Sequence, residues 1–168
     1  PVGRRQYTSD KLVGDVAALI ELAGAPVHLV GHDWGAAVAW ATAAARPDLV
    51  RTLTAVSVPH PGAFLKSMVT GTQAFRSYYM GIFQIPRLGE RFARFGLPRS
   101  GMPADALAIS RAEVLHTSAL STALNWYRAL PLTSPRVASR PVTRPTTYVW
   151  SDADIALGRK GAVLTERY

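Results

Sequence analysis

Val27-His28-Leu29-Val30-Gly31-His32-Asp33-Trp34-Gly35 leads directly into an alanine-rich stretch, Ala36 to Ala45. A short apolar run followed by helix formers predicts a strand that turns abruptly into a helix. At such an apex the backbone is strained and a bulky Cβ would clash, so small residues are expected on both sides, and two glycines supply them. Asp33 occupies the apex. Asp between a strand and a helix is commonly an N-cap, its carboxylate accepting from the first turn. The other reading makes Asp33 a nucleophile lifted above the sheet, with the Trp34 backbone N–H as donor to an oxyanion. Attack by a carboxylate gives an ester, so the bond it breaks would lie at an sp³ carbon.

Outward from the apex, Thr8 or Ser9 can cap a helix over residues 9–23. Its expected apolar face is Leu12, Val13, Val16, Leu19, Ile20 and Ala23. Gly24 ends it, and Pro26 precedes a strand at 27–30. The helix after the elbow stops at Arg46-Pro47, and a β-branched run at 53–58 ends at Pro59-His60-Pro61. This order predicts a βαβ unit with a parallel, buried sheet. A further strand is expected at 146–150, followed by Ser151-Asp152-Ala153-Asp154 and a helix from about Gly158. Residues 64–145 lack a strand pattern and carry helix-like apolar spacing broken by proline and glycine. The chain therefore divides into 1–63, a helical insertion at 64–145, and a return to the sheet at 146–168. Ligands of open α/β sheets bind beyond the carboxyl ends of the strands, where such an insertion would lie.

The 168 residues are one domain's worth of chain, 48% hydrophobic and without cysteine, which excludes disulfides and thiolate metal sites. No run approaches the roughly 18–20 apolar residues of a membrane span. No signal peptide pattern precedes the first helix, so the expected location is cytoplasmic. The net charge is +8, and all of the excess falls within 64–145. There it is carried by scattered arginines such as Arg87, Arg91, Arg94, Arg99 and Arg111, without a basic run. That distribution argues against a nucleic-acid partner and for a solvated face, with contact to an anionic surface as the alternative.

With its acidic elbow Gly31-His32-Asp33-Trp34-Gly35, βαβ core and helical insertion, the chain resembles the α/β-hydrolase superfamily. Within it, the elbow is similar to those of epoxide hydrolases and haloalkane dehalogenases, both of which use the matching Asp as nucleophile. The insertion favours the former. Tyr79, in Tyr78-Tyr79-Met80-Gly81-Ile82-Phe83-Gln84-Ile85-Pro86, and Tyr127, in Leu124-Asn125-Trp126-Tyr127-Arg128, match the two cap tyrosines of soluble epoxide hydrolases. Phenol O–H groups can protonate or hydrogen-bond the epoxide oxygen as the ring opens, for about 3–4 kcal/mol each. Tyr78, adjacent to Tyr79, is expected to pack elsewhere.

The resemblance also makes Asp154 the triad acid, with Asp152 as rival, and implies an apolar epoxide and water as reactants with neither cofactor nor metal. His28 is expected to be structural, and His32 to pack or hydrogen-bond on the side away from Asp33. His60 could line the pocket but stands in the wrong order for the base, and His116 reads as an ordinary cap residue. The superfamily's histidine and its upstream His-Gly-x-Pro loop have no counterpart in these residues. The sequence thus reads as an internal fragment of a longer enzyme, with three strands side by side and both sheet edges exposed. Alternatives are a haloalkane dehalogenase, with the Trp34 indole N–H on the halide, or a catalytically silent unit binding apolar ligands.

Overall fold

A computed structural model describes residues 3–168. In chain order its principal elements are α1 (Ser9–Leu22), β1 (Val27–His32), α2 (Trp34–Ala45), β2 (Val50–Val56), α3 (Pro61–Thr70), α4 (Gln73–Arg76), α5 (Tyr78–Phe83), α6 (Leu88–Gly96), α7 (Ala104–Ser110), α8 (Ala119–Ala129), α9 (Pro135–Ala138), β3 (Thr146–Val149) and α10 (Arg159–Thr165). They form two compact units. One comprises Ser9–Ser77 with Thr133–Tyr168, and the other Tyr78–Leu132 with Gly3–Thr8.

The first unit holds a parallel sheet in the order β1-β2-β3, with Leu29 opposite Leu53 and Ala55 opposite Tyr148. Alternation along the strands turns Leu29, Leu53 and Ala55 toward a core with Ala36, Ala39 and Trp40 of α2. Small side chains on α2 let it lie close to the sheet, while the Trp40 indole N–H donates to the Val58 carbonyl at 3.0 Å. The opposite face of β1 carries His28, Val30 and His32, all exposed, so the sheet is buried on one side rather than both. β2 begins and ends earlier than its β-branched run suggests. A 3₁₀ turn at Pro47–Leu49 delivers Val50 opposite Val27, and Ser57, at φ 73°, breaks the extended conformation.

The buried face of α1 is also rotated from expectation. Val16, Ala17 and Ile20 meet the core, whereas Leu19 is 66% exposed and Ala23 is exposed. The helical period holds, but the stripe that meets the core is 16–17–20.

The helical unit is narrower than the predicted insertion. Residues 64–77 and 133–145 belong with the sheet because polar and close contacts tie them there. Gln73 Nε2 donates to the Ala156 carbonyl at 2.7 Å and Gln73 Oε1 accepts from Gly158 N at 2.9 Å. Val142 N donates to the Tyr168 carbonyl, also at 2.7 Å. Within the helical unit, Leu115, Leu120 and Leu124 pack with Phe83, Ala93 and Leu97. The preceding 3₁₀ turn Arg4–Tyr7 joins it, with Tyr7 against Trp126 at 5.7 Å between ring centroids.

Candidate active site

The turn from β1 into α2 has no intervening loop, and the cost falls on Asp33, which sits at φ 52°, ψ −124°. A non-glycine residue with such dihedrals is costly and persists only where its surroundings enforce it. The enforcement is visible in the backbone. The Asp33 carbonyl accepts from Ala36 N at 2.9 Å and Ala37 N at 3.2 Å, and its N–H reaches the Val56 carbonyl at 3.4 Å. A Cβ on Gly31 would collide with the Gly35 carbonyl oxygen and stand 2.8 Å from Ala36 Cα. Gly35 differs: a Cβ there meets nothing within 4 Å, so only the first of the two glycines is required by packing. Although Asp33 stands at the N-cap position, its side chain makes no capping hydrogen bond and is exposed. A capping role therefore does not account for it. Trp34, half-buried, is the first residue of α2, at the positive end of the helix dipole.

Asp154 lies at the same, carboxyl, edge of the sheet. Its Oδ1 accepts from Ala156 N and Leu157 N, each at 2.8 Å, and its Oδ2 from the Ser57 hydroxyl at 3.3 Å. Asp152 is exposed, which separates the two aspartates of the Asp-Ala-Asp stretch. Nothing in the sequence around Ser57 marks it as a site residue. It follows β2 at positive φ, its N–H donates to the Val149 carbonyl at 2.8 Å, and its own carbonyl accepts from the Tyr148 hydroxyl at 2.9 Å. Burial, reinforced by the Asp154 carboxylate, pushes the Tyr148 phenol well above its ordinary pKa. A lone serine 97 positions from the acid carries no local signal of this role.

In the helical unit, Tyr79 on α5 and Tyr127 on α8 are both half-buried, with ring centroids 5.9 Å apart, edge to face. Two polar groups pin their helices together. Gln84 Nε2 donates to the Tyr127 carbonyl at 2.8 Å, and Arg128 Nε to the Phe83 carbonyl at 2.9 Å. Arg128 also pairs with Glu90 at 2.9 Å, both side chains largely buried. The Gln of the Phe-Gln-x-Pro stretch and the Arg after Tyr127 were the available signals. Tyr78 is 60% exposed rather than packed, its ring edge-on to those of Tyr79 and Phe92.

The histidines divide by environment. His28 Nδ1 shares a 2.8 Å hydrogen bond with Thr52 Oγ1. His32 is exposed rather than packed, on the same face of β1 as the exposed His28 and Val30. His116 is exposed. His60 is buried and caps α3: Nδ1 accepts from Gly62 N at 3.1 Å, which leaves Nε2–H to donate to the Arg140 carbonyl at 3.1 Å. Tyr168 stacks on it at 4.5 Å. His60 is thus structural, not a pocket residue, and no histidine hydrogen-bonds Asp154 among the described residues.

Burial pushes the His60 pKa from 6.5 down to about 4, against the opposing bond to Arg140. Because the unfolded chain takes up the proton first, His60 removes stability as pH falls from about 6.5 to 4, and its contribution is constant below that. The loss should reach about 3 kcal/mol. Urea midpoints at pH 7.5 and 4.5 test this against His60→Asn, which should lack that component; equal pH slopes would exclude it.

The sequence profile of the alpha/beta hydrolase family matches residues 3–165. An AB hydrolase superfamily protein of Bacillus subtilis is 33% identical over all of this chain and 64% of its own length. Epoxide hydrolase 4 of Mus musculus is 27% identical over all of this chain and 52% of its own length. The crystal structure of the Bacillus megaterium epoxide hydrolase in complex with an inhibitor superposes with a TM-score of 0.77 at 27% identity, covering 100% of this chain and 67% of that one. An epoxide hydrolase from hot-environment metagenomes gives 0.81 at 26% identity, covering 99% and 65%. The chain thus spans between about half and two-thirds of the length of these relatives.

Proposed function

Because the chain belongs to the alpha/beta hydrolase family, we propose that it carries the ester-forming half of an epoxide hydrolase active site. An Asp33 carboxylate oxygen attacks a ring carbon, that carbon's bond to the epoxide oxygen breaks, and the oxygen takes a proton from Tyr79 or Tyr127. The product is a hydroxyalkyl ester on Asp33, and the Trp34 N–H stabilises the oxyanion formed when water attacks that ester. Asp154 orients the histidine that activates the water. That histidine is assigned to the part of a whole protein of the relatives' length that these 168 residues do not include. Water and an apolar epoxide are the reactants and a vicinal diol the product. Supporting this reading are the two tyrosines held together by Gln84 and Arg128, and the epoxide hydrolases among the relatives. The observation that carries it is the strained, uncapping Asp33.

The test is covalent trapping. Incubated with an aryl epoxide, the 168-residue chain should gain the mass of one epoxide on the peptide bearing Asp33, and the ester should persist. Asp33→Ala should abolish the gain. Tyr79→Phe and Tyr127→Phe should each slow it by about 100-fold or more. Unchanged labelling in the double Phe variant would remove the ring-opening role. Faster labelling by a haloalkane, with halide released, would overturn the epoxide reading in favour of dehalogenation.

A further inference from the structure

We propose that the helical unit docks on an anionic lipid bilayer through the outer face of α6. The charge of this unit is one-sided. Residues 3–8 and 78–132 hold eight arginines against Glu90, Asp105 and Glu113. Glu90 is turned inward onto Arg128, so two carboxylates remain to oppose the exposed Arg87, Arg91, Arg94, Arg99 and Arg111. Scattered along the sequence, four of these arginines gather at α6 in the fold. Arg87, Arg91 and Arg94 follow one another on or beside α6, Arg94 Nε being tied to the Leu115 carbonyl at 2.8 Å, and Arg99 folds back onto the helix, its guanidinium 3.8 Å over the Phe95 ring and donating to the Phe95 carbonyl at 2.8 Å.

Charge alone would leave the surface merely solvated. What distinguishes it is that Leu88, Arg91, Phe92 and Phe95 fall at i, i+3, i+4 and i+7, on one stripe. Leu88 is 46% exposed and Phe95 62%. The same residues and Arg94 line an open groove of about 460 Å³. Ile85, just before α6, is 51% exposed, and Tyr78 reaches Phe92 from beside it. An apolar strip flanked by guanidinium groups matches the chemistry of a lipid surface, where phosphates and carboxylates meet acyl chains. Arginine suits it because its stem can lie along apolar surface while its head stays at the phosphate level. A nucleic acid would satisfy the arginines but gives no reason to expose Leu88 and Ile85. Among the described residues no helix is long and apolar enough to cross a membrane, so the contact is peripheral.

Vesicle sedimentation of the 168-residue chain tests this. Binding is expected to vesicles in which a third of the phosphatidylcholine is replaced by phosphatidylserine, and not to phosphatidylcholine alone. Arg91→Glu and Phe95→Ser should each weaken it by roughly tenfold, with urea midpoints unchanged because both positions are exposed. Ile109→Ser, equally exposed but on α7, should bind normally. Absence of binding, binding insensitive to Phe95→Ser, or equal affinity for a DNA duplex with the same sensitivity to both variants would overturn the proposal.

Discussion

Replacing Gly31 with alanine is expected to destabilise the sheet unit by about 3 kcal/mol or more and to abolish alkylation of Asp33. A Cβ at this position would drive into the Gly35 carbonyl group and Ala36 Cα. All of these are backbone atoms of the first turn of α2, so no side-chain rotation relieves the clash. The helix must move away from β1, and with it the apex that aims the carboxylate. Gly35→Ala is the matched control. Its Cβ meets open space, and alanine in a helix is favoured over glycine by roughly 1 kcal/mol, so this variant should be neutral or slightly more stable. Urea unfolding of both variants, read beside epoxide labelling, separates the cases. Equal stability and labelling in the two would show that close packing at Gly31 does not hold the elbow.

Arg128→Met should cost about 3–5 kcal/mol in the helical unit, the range for breaking a buried ion pair from one side. The guanidinium serves three groups at once: the Phe83 carbonyl at 2.9 Å, Ser121 Oγ at 3.4 Å and the Glu90 carboxylate. Burial works against ionisation of Glu90, yet bonds from its own backbone and from Arg128 hold its pKa below the usual value. Without Arg128 the carboxylate is left buried and unopposed. Hydrogen exchange, measured by peptide, should show protection lost across 78–96 and 119–129. Adding Glu90→Gln should restore part of it by removing the stranded charge. Protection no worse than in Arg91→Met, at an exposed site, would mean the pair is not what fastens α5 to α8. Losing that fastening also uncouples Tyr79 from Tyr127, so in the labelling experiment this variant should behave like the tyrosine-to-Phe variants.

The sequence by itself determined the elements whose cause is local. The switch from an apolar run to an alanine-rich stretch produced β1, α2 and the apex at Asp33, because period and helix propensity act over a few residues. The βαβ order and a third strand followed by Asp154 were legible for the same reason. Tertiary structure decided what depends on residues far apart. It chose which face of α1 is buried, because that stripe is set by where α2 lies. It drew α3, α4 and α9 to the sheet unit through contacts such as Gln73 with Ala156, 83 positions away. It made His60 a helix cap and assigned Ser57 to Asp154, since neither residue's type reveals its partner. It also showed that Asp33 caps nothing, a fact of side-chain direction that no spacing encodes. Local pattern can name the strained residue at the turn, but only the packed chain shows that it is held there by Gly31, Val56 and the first turn of α2.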